Sequence, residues 1–589
     1  MTSTLPSHHP RHEKPYLINT HKVTSERKDA TNLLKIVEEE IRFFVNVLRI
    51  IVVAWCTDAS GESAKMRRML RDKMPWIFVI DCWAHQMNLV VGDIFKTIGT
   101  SFASVVDDAL DIVKWFNNHT LALGLLKDIQ FTQLKKVLCL ILPVITRWTT
   151  HYQAVRRLLE LQTPLRTLLL LEKEKLIASV GKQGEAQARD IVEKLERPGF
   201  WEDLSEVKRH LEPLAAATNI LQSDRARLDT VLIILANLFH IFSDDSLSLE
   251  ICRSVLRILE KRWAKQDQDI IILATVLNPF IRVNTFSPSS IYRKPAKIIE
   301  LASAAYRRFF GKDPNFEFKK SVTDYLNRHD RWSDQDMGLA DFRKADKDMA
   351  TADLVEIWRR LLPVPDACSP TDPPPPPPDG ADGLAYLGAY LMSITPNTAS
   401  TEREFSKFGI IHTPLRNRLS HDTVRKMTMV NHDTAQKYPM PSRGESKRKH
   451  GEEEPSRSEP QSTQGQQTDD SSAHDSVDPL SQTFNDVALN LMVEADDAPG
   501  VSDEVLDSME APEDLPSNTT PSQPSLSIRI TIPPELSEKR AKMLRNLFSF
   551  PSRTSSFSAK ASFTVLDAFW EVANDDLTRE QVLHETVCG

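Results

Sequence analysis

The sequence lacks any apolar run approaching the roughly 18 residues that a membrane-spanning helix needs; Val231–Phe242 is among its longest. Its first residues, MTSTLPSHHPRHEK, contain no apolar h-region, so they do not read as a secretory signal. Six cysteines, Cys56, Cys82, Cys139, Cys252, Cys368 and Cys588, form no CxxC pair and no repeated spacing. That excludes a disulfide framework or a zinc finger and points to a reducing compartment. Glycine is scarce, at 18 residues against 36 prolines, so part of the chain is not packed. No internal repeat is visible. The chain reads as soluble, neither secreted nor membrane-spanning.

Its 589 residues exceed what one hydrophobic core usually organises, which predicts two or three structural units with linkers. The net charge of −8 is uneven: residues 451–530 carry 18 Asp or Glu against 2 Lys or Arg, leaving +8 on the other 509. A mildly basic body with an acidic tail is compatible with nucleic-acid binding.

The hydrophobic pattern predicts an α/β layer over 16–147, after an N-terminal stretch, 1–15, too polar to fold. Ser25–Leu48 reads as a helix. Arg49–Cys56 (RIIVVAWC) reads as a strand buried on both faces, with Asp58 just past its end. A helix over Ser63–Lys73, a second strand over Trp76–Ile80 and a helix containing His85 and Asn88 follow. From 148 to 362 the Leu-rich period, as in Ala154, Leu158, Leu161, Leu165 and Leu168, predicts an all-helical block. The proline run Pro373–Pro378 predicts a stiff spacer, hence a boundary over 363–382. Helix returns over 383–435, restarting after Pro396. The composition of 436–589 predicts a disordered acidic tail. Within it Lys447–Lys449 is a minimal basic cluster that supports a nuclear address. Leu526, Ile528, Ile530 and Ile532 alternate as a strand for another protein's sheet edge would, or form a local apolar patch.

Three separated segments resemble the hAT superfamily of DNA transposases. The first is CTDASGESAKMRRML at Cys56–Leu70 with IDCWAHQMNLVVGDI at Ile80–Ile94. The second is TRWTTHYQAVRRLL at Thr146–Leu159, with LATVLNP at Leu273–Pro279. The third is PNTASTEREFSKFGIIHTPLRNRLSHDTVRKMTMV at Pro396–Val430. The resemblance covers about 16–435. It implies a partial RNase H-like core, interrupted by a large helical insertion and closed by a C-terminal dimerisation module.

The chemistry of such a core is phosphoryl transfer between DNA strands, in which clustered carboxylates hold two divalent cations, Mg²⁺ or Mn²⁺. The resemblance makes Asp58 the second acid and Glu402 the third, both as metal ligands; the first acid has no counterpart. The residues before Tyr16 are too few for the two strands expected there. The nearest upstream acids, Glu26 and Asp29, begin a helix, where a carboxylate favours the dipole. Trp148 matches a tryptophan that can stack on an unpaired base and reads equally well as a core residue. Arg147, His85, Arg403, Arg416 and Arg418 are candidate DNA contacts, although helical arginines are commonly solvated or paired. Phe405, Phe408, Ile411, Leu415, Leu419 and Val424 supply apolar surface to a module too short for its own core, pointing to burial in a homodimer or against the α/β layer.

The expectation is a nuclear, N-terminally truncated, hAT-derived protein that dimerises, retains nucleic-acid binding, needs no cofactor and does not catalyse. The alternatives are an active transposase using Mg²⁺ or Mn²⁺, with its zinc finger and first acid missing from this sequence, and a helical scaffold without DNA affinity. The tail is expected to bind other proteins.

Overall fold

The computed structural model describes residues 2–5, 16–20, 29–98, 100–143, 148–243, 247–345, 353–363, 378–411, 419–438 and 534–548. They are mostly helical, with two small two-stranded sheets. β1 (Thr2–Leu5) pairs antiparallel with β2 (Tyr16–Thr20), from Thr2 opposite Thr20 to Leu5 opposite Tyr16. Thr2–Leu5 is thus a strand inside the stretch 1–15 expected to be unfolded, and residues 6–15 lie outside the described residues. TSTL and YLINT are rich in the β-branched and aromatic residues that suit a pleated pair. Neither strand carries an acid.

Asp29 caps the helix Ala30–Asn46, accepting from the Asn32 N–H at 2.9 Å. β3 (Ala54–Thr57) and β4 (Phe78–Asp81) run parallel, joined through the helix Gly61–Lys73, with Ala54 opposite Phe78 and Thr57 opposite Asp81. Because side chains alternate along a strand, the pair divides two cores. Trp55 and Val79 face a small one built by Leu34, Val37, Ile41, Met66, Leu70 and Ile77. Ala54, Cys56, Phe78 and Ile80 face the main one. The strand is shorter than Arg49–Cys56, since β4 offers it only four partners, and β3 is half-buried throughout.

Beyond β4 every regular element among the described residues is helical. Trp83–Ile98, Thr100–Asn118 and Thr120–Leu134 lead into Trp148–Glu160, Gln162–Ala178, Gly181–Glu196, Phe200–Gln222, Leu228–Ile241, Leu249–Trp263 and Gln268–Val276. Pro295–Phe310, Phe316–Asn327, Leu354–Arg359 and Gly380–Met392 complete the body. One core runs through it from Phe78 to Phe548, with buried residues on both sides of 147/148. The helices Leu354–Arg359 and Gly380–Met392, on the two sides of the expected linker, pack on each other. Gly388 lies under the Trp358 indole so closely that an added Cβ would stand 2.3 Å from the ring, and Leu384, Leu387 and Leu391 are buried beside it. Residues on both sides of the proline run thus share one core; of the run itself only Pro378 lies among the described residues, its carbonyl accepting from the Tyr306 hydroxyl at 2.5 Å.

Two compact units result, Met1–Arg403 with Thr483–Gly589, and Glu404–Gln482. In the smaller, Glu404 and His432 are buried as a 2.9 Å pair, Ile411 and Val424 are buried, and Phe405, Met427 and Val430 are exposed. A second correction concerns the tail. Pro534–Ala541 and Leu544–Leu547 are helical, and Leu544, Leu547 and Phe548 are buried in the main core. The Lys447–Lys449 cluster and the Leu526–Ile532 alternation lie outside the described residues. Among the described residues, no helix is long and apolar enough to cross a membrane.

Candidate nucleic-acid interface at the sheet end

The parallel register brings the carboxyl ends of β3 and β4 side by side, the usual position of a ligand site in an open α/β sheet. Asp58 follows β3 and is exposed; its carboxylate accepts from the Ser60 hydroxyl at 3.1 Å. Asp81 ends β4. Between them lies the buried Arg67 guanidinium from the helix Gly61–Lys73, donating to the Thr57 and Asp58 carbonyls, the Thr57 hydroxyl and the Asp81 carboxylate. Gln266 reaches the other Asp81 oxygen at 3.5 Å. An arginine in this place neutralises the carboxylate that a cation would need.

The C-x-x-H segment has a local explanation. Cys82 precedes the helix Trp83–Ile98, and its sulfur accepts from the His85 backbone N–H, the geometry of an N-cap bonded to the third helical residue. The two cysteines are also coupled: the Cys56 thiol donates to Cys82, which pushes Cys56 up and, together with the Thr398 and His85 amides, pulls Cys82 below its usual range against burial. His85 is half-buried.

The third resembling segment arrives at the same end. The Trp83 N–H donates to the Pro396 carbonyl at 2.9 Å, and the Thr398 N–H to Cys82 Sγ at 3.3 Å. Asn397 donates to the Ser223 carbonyl at 2.9 Å. These bonds fix the start of the helix Ala399–Ile411, on whose first turn Glu402 is exposed, accepting from the Thr398 hydroxyl at 3.3 Å. Among the described residues no group of three or more His, Cys, Asp or Glu is placed to hold a metal ion. Asp58 and Glu402 alone do not fit a two-cation site, and Arg67 opposes one.

Positive charge gathers beside the strand ends instead. Arg262 is buried, donating to Asp93 through one amino group, while its Nε and other amino nitrogen find no hydrogen-bond partner among the described residues. Lys265 has its ammonium pushed down to about 8 by burial, then by Arg262 and Lys261, with Asp93 and Asp81 opposing. Arg67, Arg262 and Lys265 were invisible as a group in the sequence, since they come from distant helices and turns.

Trp148 is corrected as a base-stacking candidate: it is buried, and its indole N–H donates to the Asn88 side chain at 3.1 Å, as a core residue does. Arg403 is ion-paired with Asp224 and donates to the Gln222 carbonyl. The LATVLNP segment is structural, Asn278 donating to the buried Asp229 at 2.6 Å. Of the dimerisation candidates, Phe405 is exposed, Leu419 half-buried, and Ile411 and Val424 buried. Arg147, Leu415, Arg416, Arg418 and the Phe408 side chain lie outside the described residues. In comparison with known proteins, no family model and no curated protein matches the chain.

Proposed function

We propose that the chain is a hAT-transposase-derived nuclear protein that binds nucleic acid without cleaving it and pairs with itself through its C-terminal helical module. One observation carries this reading. Segments that resemble the family's strand-end acid, its C-x-x-H block and its third-acid helix lie more than 300 residues apart, yet meet at one sheet end through the Thr398–Cys82 contact. Two parallel strands between helical layers are what an RNase H-like core would supply there. The same place favours phosphate over a metal, because Arg67 is paired with Asp81 and the Lys265 ammonium, pressed by burial and by Arg262 and Lys261, would gain from an anion beside it. The basic balance outside 451–530 agrees.

Self-association has its own support in the exposed Phe405, Met427 and Val430 of the smaller unit, apolar surface that a second copy would cover.

The test is fluorescence anisotropy with duplex DNA at several salt concentrations, on the full chain and on one lacking 451–530 but keeping 534–548. Deletion should raise low-salt affinity several-fold, because a tethered polyanion competes with phosphates. Lys265→Glu should reverse the gain. No DNA affinity at low salt for either chain would leave a helical scaffold. Sedimentation of the Phe405→Asp variant should show a monomer at tens of micromolar where the wild type is dimeric; equal dimerisation would remove the module from the interface.

A further inference from the structure

The segment Pro534–Phe548 is bound in the manner of a peptide ligand. Four of its polar contacts are made through the main chain. The two carboxylate oxygens of buried Glu260 accept from the Leu544 and Arg545 N–H groups at 3.0 and 3.1 Å. The Trp263 indole N–H donates to the Lys542 carbonyl at 2.6 Å, and the Ser287 N–H to the Leu547 carbonyl at 2.8 Å. Side chains supply selectivity: Leu544 and Leu547 are fully buried, and Phe548 stacks on Phe286 with ring centres 5.8 Å apart. Lys542 pairs with Asp269 at 2.8 Å, and Glu538 with Lys297 at 3.4 Å. Anchoring of the backbone together with burial of a few apolar side chains is how a short segment is recognised by a groove.

The walls of this groove are held by other elements. Leu228–Ile241 packs on Gln268–Val276 and Phe200–Gln222, and Leu249–Trp263 on Trp83–Ile98. Those helix packings do not run through the segment. We propose that the groove around Glu260, Trp263 and Phe286 is a peptide-binding site for a basic residue followed by Met-Leu and then Leu-Phe. Its resident ligand is this chain's own Lys542–Phe548, which acts as a detachable clamp. Glu260 recognises the peptide backbone, Trp263 and Ser287 its two carbonyls, and Phe286 its last aromatic ring. Because the resident segment is covalently attached, its rebinding is intramolecular, so a free peptide competes poorly until the clamp is weakened. The inference stands apart from the nucleic-acid reading, because none of its residues belongs to the sheet end.

The experiment uses the full chain carrying Leu544→Asp and Leu547→Asp, with a labelled synthetic peptide of residues 534–548 as probe. The variant should keep the wild-type helical signal and bind the peptide at micromolar concentration. The wild-type chain should bind it at least tenfold more weakly, and Glu260→Gln in the variant should lower affinity about tenfold. A folded variant that ignores the peptide, or equal binding by both chains, would overturn the proposal. A second measurement covers a variant that does not fold: the wild-type chain is cut at a protease site placed within 439–533, and labelled peptide is added in excess. Exchange of the cleaved tail for the peptide, with the body intact, is expected. A tail that never exchanges, or a body that unfolds as it leaves, would make the segment a fixed part of the core.

Discussion

Asp81 and Glu260 are acidic residues of the same helical body, neutralised in opposite ways. Asp81 meets Arg67, which comes from the helix between the two strands and lies in a core built by residues 30–79. Glu260 meets two backbone N–H groups of a segment 284 residues later in the chain. Local partners make the first arrangement part of the fold, so a charge there cannot be exposed without unfolding the sheet. The second depends on a segment that returns to the body from far along the chain. The contrast is between a local pair and a long-range one on one scaffold, and the local one lies where the chemistry of the resemblance would be expected.

The sharpest break in that contrast is Arg67→Met. It leaves Asp81 without its partner at a half-buried strand end, and removal of one member of a buried pair costs about 3–5 kcal/mol, here toward the lower figure because Asp81 retains some water. Thermal unfolding of the whole body should shift down by several degrees. An unchanged midpoint would show that the sheet end does not need the pair. Glu260→Gln should act locally. It removes charge-assisted bonds worth roughly 1.5–3 kcal/mol from the docked segment while the body midpoint barely moves. Hydrogen exchange at the Leu544 and Arg545 amides should accelerate more than tenfold. Equal protection in both proteins would count against Glu260 as the anchor.

A smaller effect separates the two regions by pH. Lys265 is pushed down to about 8 from 10.5, so the unfolded chain binds more protons between those values and stability should rise with pH across that window. Lys265→Met should flatten that part of the stability profile. A profile with the same slope in the variant would place its cause elsewhere.

Legibility in the sequence followed the range of the interactions. The Leu-rich period marked the helices, and the apolar runs ending at Asp58 and Asp81 marked both strands, because each pattern is local. The contact of Trp358 with Gly388 was not legible, because composition says nothing of which residues on the two sides of the proline run meet. Arg67 stood out in no sequence pattern; only the pairing of Thr57 with Asp81 brings its acceptors to one point. Trp148 was undecided until Asn88 supplied its partner. The clamp was hidden for the strongest reason: PELSEKRAKMLRNLF is polar on average, and what buries it comes from residues 228–292.

The most direct test of the central claim, a sheet end that takes phosphate and holds no catalytic cations, is incubation of the purified chain with supercoiled plasmid at low salt and increasing Mn²⁺. The account predicts retarded plasmid that stays supercoiled at every Mn²⁺ concentration. Mn²⁺-dependent nicking that disappears in Asp58→Asn and in Glu402→Gln would contradict it.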